Sequence, residues 1–223
     1  MNDRMETSVP DIYAAGDAVQ VKHYVTGDDA LISLAGPANK QGRIIADNIC
    51  GGDSRYLGSQ GSSVIKVFDM TAATTGINET NAKKSGLEVD TVILSPMSHA
   101  GYYPGGKVMT MKVVFEKETY RLLGAQIIGY EGVDKRIDVL ATAIHAGLKA
   151  TQLKDLDLAY APPYSSAKDP VNMAGFMIDN IAKGTLKQWH LEDMDKISKD
   201  KSVVLLDVRT VGEFNRGHMD GFR

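Results

Sequence analysis

Apolar and polar residues alternate from Val64 to Phe68, the spacing that turns one side of a strand toward a core. Three further runs, Val89 to Leu94, Val108 to Phe115 and Leu122 to Tyr130, read as strands. The last two form a hairpin over Glu116 to Thr119. The period then changes. Val133, Ile137, Leu140, Ala141, Ile144 and Leu148 recur at helical spacing and make the stripe of an amphipathic helix. Leu31 to Asn48 reads as a loop running into a helix, with Pro37 in the first turn and Gly51-Gly52 as its stop. A short helix follows Asn78, its expected N-cap, and ends at Gly86. A last one runs from Pro170 to about Lys183, before Gly184. Strands mostly precede helices, so the middle of the chain is expected to be an α+β domain.

The two ends have a different pattern. Ile12 to Ala15 is a short apolar stretch running straight into Gly16-Asp17, a strand that needs neighbours on both sides. Ser202 to Asp207 reads as a buried strand, followed by a helix around Val211 to Phe214. Two half-built units at the two ends are expected of a piece of a longer protein or of a natural truncation.

The 223 residues carry 25 basic and 28 acidic side chains, a formal net charge of −3, with no basic stripe, so neither nucleic acid nor an anionic membrane is an expected partner. The one cysteine excludes a disulfide framework within the chain and a cysteine-built metal site. The five histidines lack metal-ligand spacing, and no metal is expected; His145 is expected to be a packed helix residue. No apolar run approaches the ~18 residues of a membrane span, and a cytoplasmic location is expected. Cys50 sits at a helix C-terminus, which disfavours a thiolate, so it is read as a structural or semi-exposed thiol rather than a nucleophile.

Thr7-Ser-Val-Pro-Asp-Ile-Tyr-Ala-Ala-Gly-Asp17 resembles the second flavin-binding motif of the pyridine nucleotide-disulfide oxidoreductases. The glycine admits a ligand close to the backbone, and a carboxylate at the strand end can accept hydrogen bonds from hydroxyls. The resemblance implies that Asp17, with Gly16 and Ala18 beside it, binds the ribityl chain of FAD. Leu34 to Arg43 continues it: Ala35, Gly36, Pro37, Ala38 and Asn39 open a helix whose free N–H groups and positive dipole end would face the flavin pyrimidine edge.

Residues 61–185 resemble the dimerisation domain of the same family, an antiparallel sheet plus helices. The stretches His99-Ala-Gly-Tyr-Tyr-Pro-Gly105, Glu131 to Asp138 and Ala159 to Ser166 are similar to the branch of coenzyme A-disulfide reductases, NADH oxidases and persulfide reductases. That resemblance implies a homodimer in which two tyrosines reach the other subunit's redox cysteine. A phenol can give a hydrogen bond or proton to a departing thiolate and stays neutral at pH 7. Tyr102 and Tyr160 are the first candidates, with Tyr103 and Tyr164 as alternates; each could instead pack a proline-rich corner. Lys135 and Arg136 open the amphipathic helix. They either bind an anion such as a coenzyme A phosphate or form a solvated face with Asp134 and Asp138.

Ser202 to Gly221, with its Asp-Val-Arg, Glu-Phe and Gly-His, resembles the opening of a rhodanese domain, whose sulfur-carrying cysteine lies beyond this stretch. The expected division is therefore 1–60 as the end of an FAD-binding α/β domain, 61–185 as the dimerisation domain and 186–223 as the start of a rhodanese-like α/β domain. The Gly-x-Gly-x-x-Gly turn for the FAD diphosphate, the nicotinamide-binding domain and the redox cysteine of such reductases do not occur in these residues. The implied parent is an FAD- and NAD(P)H-dependent reductase of coenzyme A disulfide, persulfide or polysulfide, with the chain alone inactive. The alternatives are a non-catalytic homodimeric binding module and a sulfurtransferase fragment.

Overall fold

The computed structural model describes residues 1–223, and the chain divides into two units, Met1–Lys183 and Gly184–Arg223. The first unit begins with a two-stranded ribbon, β1 (Val21–Lys22) and β2 (Asp29–Ala30), and the helix α1 (Ala35–Ile49). Then come β3 (Ser63–Val67), β4 (Met70–Gly76), α2 (Glu79–Lys84), β5 (Val89–Leu94), β6 (Thr110–Glu116), β7 (Leu122–Gly129), α3 (Val133–His145) and α4 (Pro170–Ala182). The second unit holds α5 (Met194–Ile197) and α6 (Val211–Arg216).

Strands β3 to β7 form one antiparallel sheet in the order β3-β4-β7-β6-β5. Its inner face follows from the register. Ala73 pairs with Ile127, Ile127 with Met111, and Val113 with both Ala125 and Val92. All are buried, beneath Val133, Ile137, Leu140 and Ile144 of α3 and Val171, Ala174 and Ile178 of α4. Two apolar helix stripes over one sheet face make a single core, the α+β arrangement expected. A smaller cluster, Met5, Val19 and Val21, packs against Ile44 and Ile45 of α1.

Where β4 meets β7 the backbones approach closely. A Cβ on Gly124 would lie 2.1 Å from Ile77 O, and one on Gly76, at φ +66°, would lie 2.1 Å from Leu123 O. Only glycine fits either position.

Most expected elements are present, with their caps. Asn78 accepts a hydrogen bond from Asn81 N at the start of α2, and α4 begins with Pro at its first position. Three expectations are corrected. β4 was not anticipated, because Thr71-Ala-Ala-Thr-Thr75 lacks large apolar side chains although Ala73 and Thr75 are buried. Ile12 to Ala15 forms no strand. Tyr13 makes one isolated bridge to Glu6, and no ladder flanks the stretch. Ser202 to Asp207 is neither a strand nor buried: Val203, Val204 and Leu206 are all exposed, since no sheet covers them.

Candidate functional site

Two loops at one end of the sheet carry the four candidate tyrosines. The first joins β5 to β6. It is closed by Ser98 N donating to Lys107 O at 2.7 Å and by Lys107 N donating to the Ser98 hydroxyl at 3.1 Å. The second precedes α4 and turns tightly, with Tyr164 N and Ser165 N both donating to Ala161 O. Ala100 N donates to Ser165 O at 3.0 Å and joins the loops directly.

The outcome is a pair of phenols. Tyr102 Oη and Tyr160 Oη lie 2.8 Å apart, a hydrogen bond between residues 58 positions apart in sequence. Tyr102 is 76% exposed and Tyr160 46%, so the pair faces outward rather than plugging a core. The hydrogen bond that Tyr160 shares with Tyr102 favours the neutral phenol and holds Tyr160 above its ordinary value, so it remains protonated at neutral pH. Tyr103 is turned away from this pair. Its ring meets buried His99 edge-on at 5.6 Å. Tyr164 is exposed, with no ring contact to the pair.

Beneath the tyrosines lies a charged core. Arg136, in the first turn of α3, is 1% exposed. Its Nε donates to both carboxylate oxygens of Asp169, at 3.4 and 3.2 Å, and its Nη1 donates to Gly132 O at 3.2 Å. Nη2 donates to Ser98 O at 3.0 Å, Tyr164 O at 3.3 Å and the Ser165 hydroxyl at 3.2 Å. The anion-binding role expected of Arg136 is therefore corrected. Its guanidinium is buried and committed to the protein, and Asp169 rather than Asp134 or Asp138 is its partner. Lys135 is half-buried, donates to Ala159 O at 3.3 Å and stands 3.7 Å from Asp169 Oδ2.

Asp169 accepts from the Ser165 hydroxyl at 2.7 Å and from Val171 N at 3.0 Å, capping α4. Burial raises its pKa, but the Val171 N–H, the Ser165 hydroxyl and Arg136 more than offset this, and the carboxyl is held below its ordinary value. Sequence reasoning missed Asp169 and Ser165. The signal for Asp169 was present in Asp169-Pro170, an N-cap followed by Pro at the first helical position.

The flavin-type residues are also brought together. Gly16, at φ +76°, donates its N–H to buried Gln41 Oε1 of α1 at 2.8 Å, and a Cβ there would meet Ala38 Cβ at 3.8 Å. This packs the turn carrying Gly16, Asp17 and Ala18 on the first turns of α1, with Asp17 and Ala18 exposed. That helix starts at Ala35 without a side-chain cap. Gly36 is exposed, Pro37 and Ala38 are partly buried, and the Asn39 side chain donates back to Ala35 O at 2.9 Å. Unfilled N–H groups there form a weakly positive end. Beside it opens a cavity of ≈ 550 Å³ lined by Tyr24, Gly36, Pro37, Lys40, Tyr56 and His145. His145 is an exposed side chain stacked on Tyr24 at 5.1 Å. Cys50 is exposed at the C-terminal end of α1.

Residues 62–170 match the family model of the pyridine nucleotide-disulphide oxidoreductase dimerisation domain. Over 170 residues, 76% of the chain, it is 39% identical to the NAD(P)H sulfur oxidoreductase (CoA-dependent) of Pyrococcus abyssi. Over 178 residues, 79% of the chain, it is 38% identical to the coenzyme A disulfide reductase of Staphylococcus aureus. The crystal structure of reduced Bacillus anthracis CoADR-RHD superposes over 100% of the chain with a TM-score of 0.94 at 47% identity. The chain spans 38% and 40% of the two relatives' lengths and 40% of the solved chain. The antiparallel sheet and the tyrosine-bearing loops thus lie in a dimerisation domain of the pyridine nucleotide-disulphide oxidoreductase family, similar to coenzyme A-disulfide and persulfide reductases.

Proposed function

We propose that the chain is part of an FAD- and NAD(P)H-dependent reductase of coenzyme A disulfide, persulfide or polysulfide. Residues 61–185 would supply the homodimer interface and offer Tyr102 and Tyr160 to the partner subunit's redox centre. The hydroxyl pair at 2.8 Å carries this reading. When a thiolate of that centre displaces the far sulfur of a substrate S–S bond, the leaving sulfur takes the bonding pair. It needs a hydrogen bond or a proton at that moment. Tyr160 is neutral, half-exposed and hydrogen-bonded to a second phenol. It can donate, and Tyr102 can donate to the phenolate oxygen that Tyr160 would then carry, with the proton restored from solvent.

Residues 1–60 would form one edge of the FAD site. Asp17 is exposed at the turn and suits ribityl hydroxyls. The uncapped start of α1, at Ala35 and Gly36, suits the electron-rich edge of the ring system. FAD supplies the passage of a hydride equivalent from the nicotinamide to the redox thiols. Residues 186–223 are proposed as the opening of a rhodanese-like domain, from the Asp207-Val-Arg209 and Gly217-His218 pattern. The chain by itself is expected to be colourless and inactive, because it offers no turn for the FAD diphosphate.

The test uses the complete flavoprotein that contains this chain. Tyr102→Phe and Tyr160→Phe are expected to lower kcat for coenzyme A disulfide by on the order of 100-fold. Flavin reduction by NAD(P)H, followed by stopped-flow absorbance, should stay at its original rate. Full turnover in the double variant would overturn the proposal.

A further inference from the structure

Arg136 and Asp169 are the most deeply buried ion pair of the first unit, with side-chain exposures of 1% and 3%, yet neither touches solvent chemistry directly. Buried pairs are costly to desolvate and contribute stability only when every donor and acceptor is used. Here they are used for one geometric purpose. The Nη2 group of Arg136 bonds Ser98 O in the loop of Tyr102. The same group bonds Tyr164 O and the Ser165 hydroxyl in the loop of Tyr160. Asp169 accepts the Ser165 hydroxyl, fixes the start of α4, and binds the Arg136 Nε that belongs to α3. Lys135 adds a second tie, to the carbonyl immediately before Tyr160. Three chain segments, two of them also joined by the Ala100–Ser165 backbone bond, are thus referred to a single planar fork of donors, a task for which an ammonium cannot substitute.

We infer that Arg136, Asp169 and Ser165 form a positioning clamp that sets the registry of the two tyrosine loops and so holds the Tyr102 and Tyr160 hydroxyls within hydrogen-bond reach of each other. Its functional meaning rests on the proposed role of the tyrosines, but its geometry does not. A hydrogen bond tolerates only a few tenths of an ångström, so loops released by even 1 Å lose it. Both phenols are exposed, Tyr102 the more so, and surface packing of that kind restores a displaced pair only weakly.

The readout is the titration of Tyr160 in the 223-residue chain, followed by NMR of tyrosine labelled with carbon-13 at Cζ. Far-UV circular dichroism monitors the fold. Wild type should titrate above the ordinary phenol value, the direction in which the hydrogen bond shared with Tyr102 moves Tyr160 by favouring its neutral form. In Arg136→Lys, which keeps the charge and loses the fork, and in the milder Ser165→Ala, the midpoint should fall back toward about 10 while the helices persist. Glu79→Gln, which removes an ion pair elsewhere, should leave Tyr160 unmoved and so separates positioning from a general loss of stability. A folded Ser165→Ala or Arg136→Lys chain with the wild-type midpoint overturns the clamp. Should Arg136→Lys fail to fold, Ser165→Ala decides. Tyr102→Phe must lower the midpoint; if it does not, the phenol pair is absent and the clamp falls with it. Should the clamp variants move Tyr160 while Tyr102→Phe and Tyr160→Phe leave disulfide turnover intact, the proposed function falls and the clamp stands.

Discussion

Gly175 lies inside α4, where helix propensity alone favours alanine by about 1 kcal/mol. Its surroundings reverse that preference. A Cβ would stand 2.2 Å from Lys154 N and 2.7 Å from Leu153 C, both backbone atoms of the short 3₁₀ turn Ala150–Asp155 that packs on α4. Backbone cannot rotate aside as a side-chain tip can, so the turn must move. Gly175→Ala is therefore expected to destabilise the chain by about 1–3 kcal/mol, read by urea unfolding. An unchanged or raised midpoint would mean that propensity outweighs the close contact. The same dependence on distant neighbours explains which site residues were legible. Tyr102 and Tyr160 could be named as candidates only because their local stretches resemble a known family, and the stretches alone did not separate them from Tyr103 and Tyr164. The burial of Arg136 could not. Its first-turn position, flanked by Asp134 and Lys135, is what a solvated helix face looks like. Its partner Asp169 lies 33 positions away and meets it only when α3 and α4 pack on the same sheet.

At the scale of elements, α2 depends on a carboxylate shared between two lysines. Glu79 accepts from Lys83, four residues on in the same helix, at 2.6 Å, and from Lys112 on β6. These bonds, the one from Lys112 first, hold the Glu79 carboxyl down to about 2, against about 4.3 in an unfolded chain. A depressed carboxyl pKa stabilises the fold fully above the unfolded value. That contribution fades as pH falls from about 4.3 toward about 2, because the unfolded chain then takes up the proton first. With solvent screening allowed for, the contribution is about 1 kcal/mol. Between pH 6 and pH 3, wild type should lose about half of that contribution more than Glu79→Gln does in urea titrations; parallel losses would show that the shared carboxylate does not link α2 to the sheet. Elements with large β-branched runs, β5, β6 and β7, could be read directly from the chain, as could helices marked by Pro and Gly. β4 could not. Its Ala73 and Thr75 fill narrow space beneath α3, where small side chains fit and a hydropathy pattern stays silent.

At the scale of the molecule, the distribution of buried side chains separates the two units. The first has a continuous core across sheet and helices, whereas not one residue from Gly184 to Arg223 is buried. The second unit has local order without a core. Thr210 caps α6 through Glu213 N, Arg209 pairs with Asp207, and Arg223 exchanges backbone bonds with Leu205 and Asp207. Such contacts hold a short segment in shape but bury little apolar surface, and Val204, Leu206 and Val208 remain in water. Local opening there costs little compared with opening the sheet. Brief trypsin treatment is accordingly expected to cut first after Lys187, Lys196, Lys199 or Lys201, leaving a resistant product that ends near Lys183 or Lys187. Lys66, Lys112 and Arg121 offer the same chemistry inside the first unit, so the protease has no chemical reason to spare them. Mass spectrometry of early time points reads the order of cleavage, and cuts after Lys112 or Arg121 as fast as those beyond Lys187 would refute it. The resistant product should unfold at the same temperature as the whole chain, because the side chains removed contribute nothing buried to the core that melts.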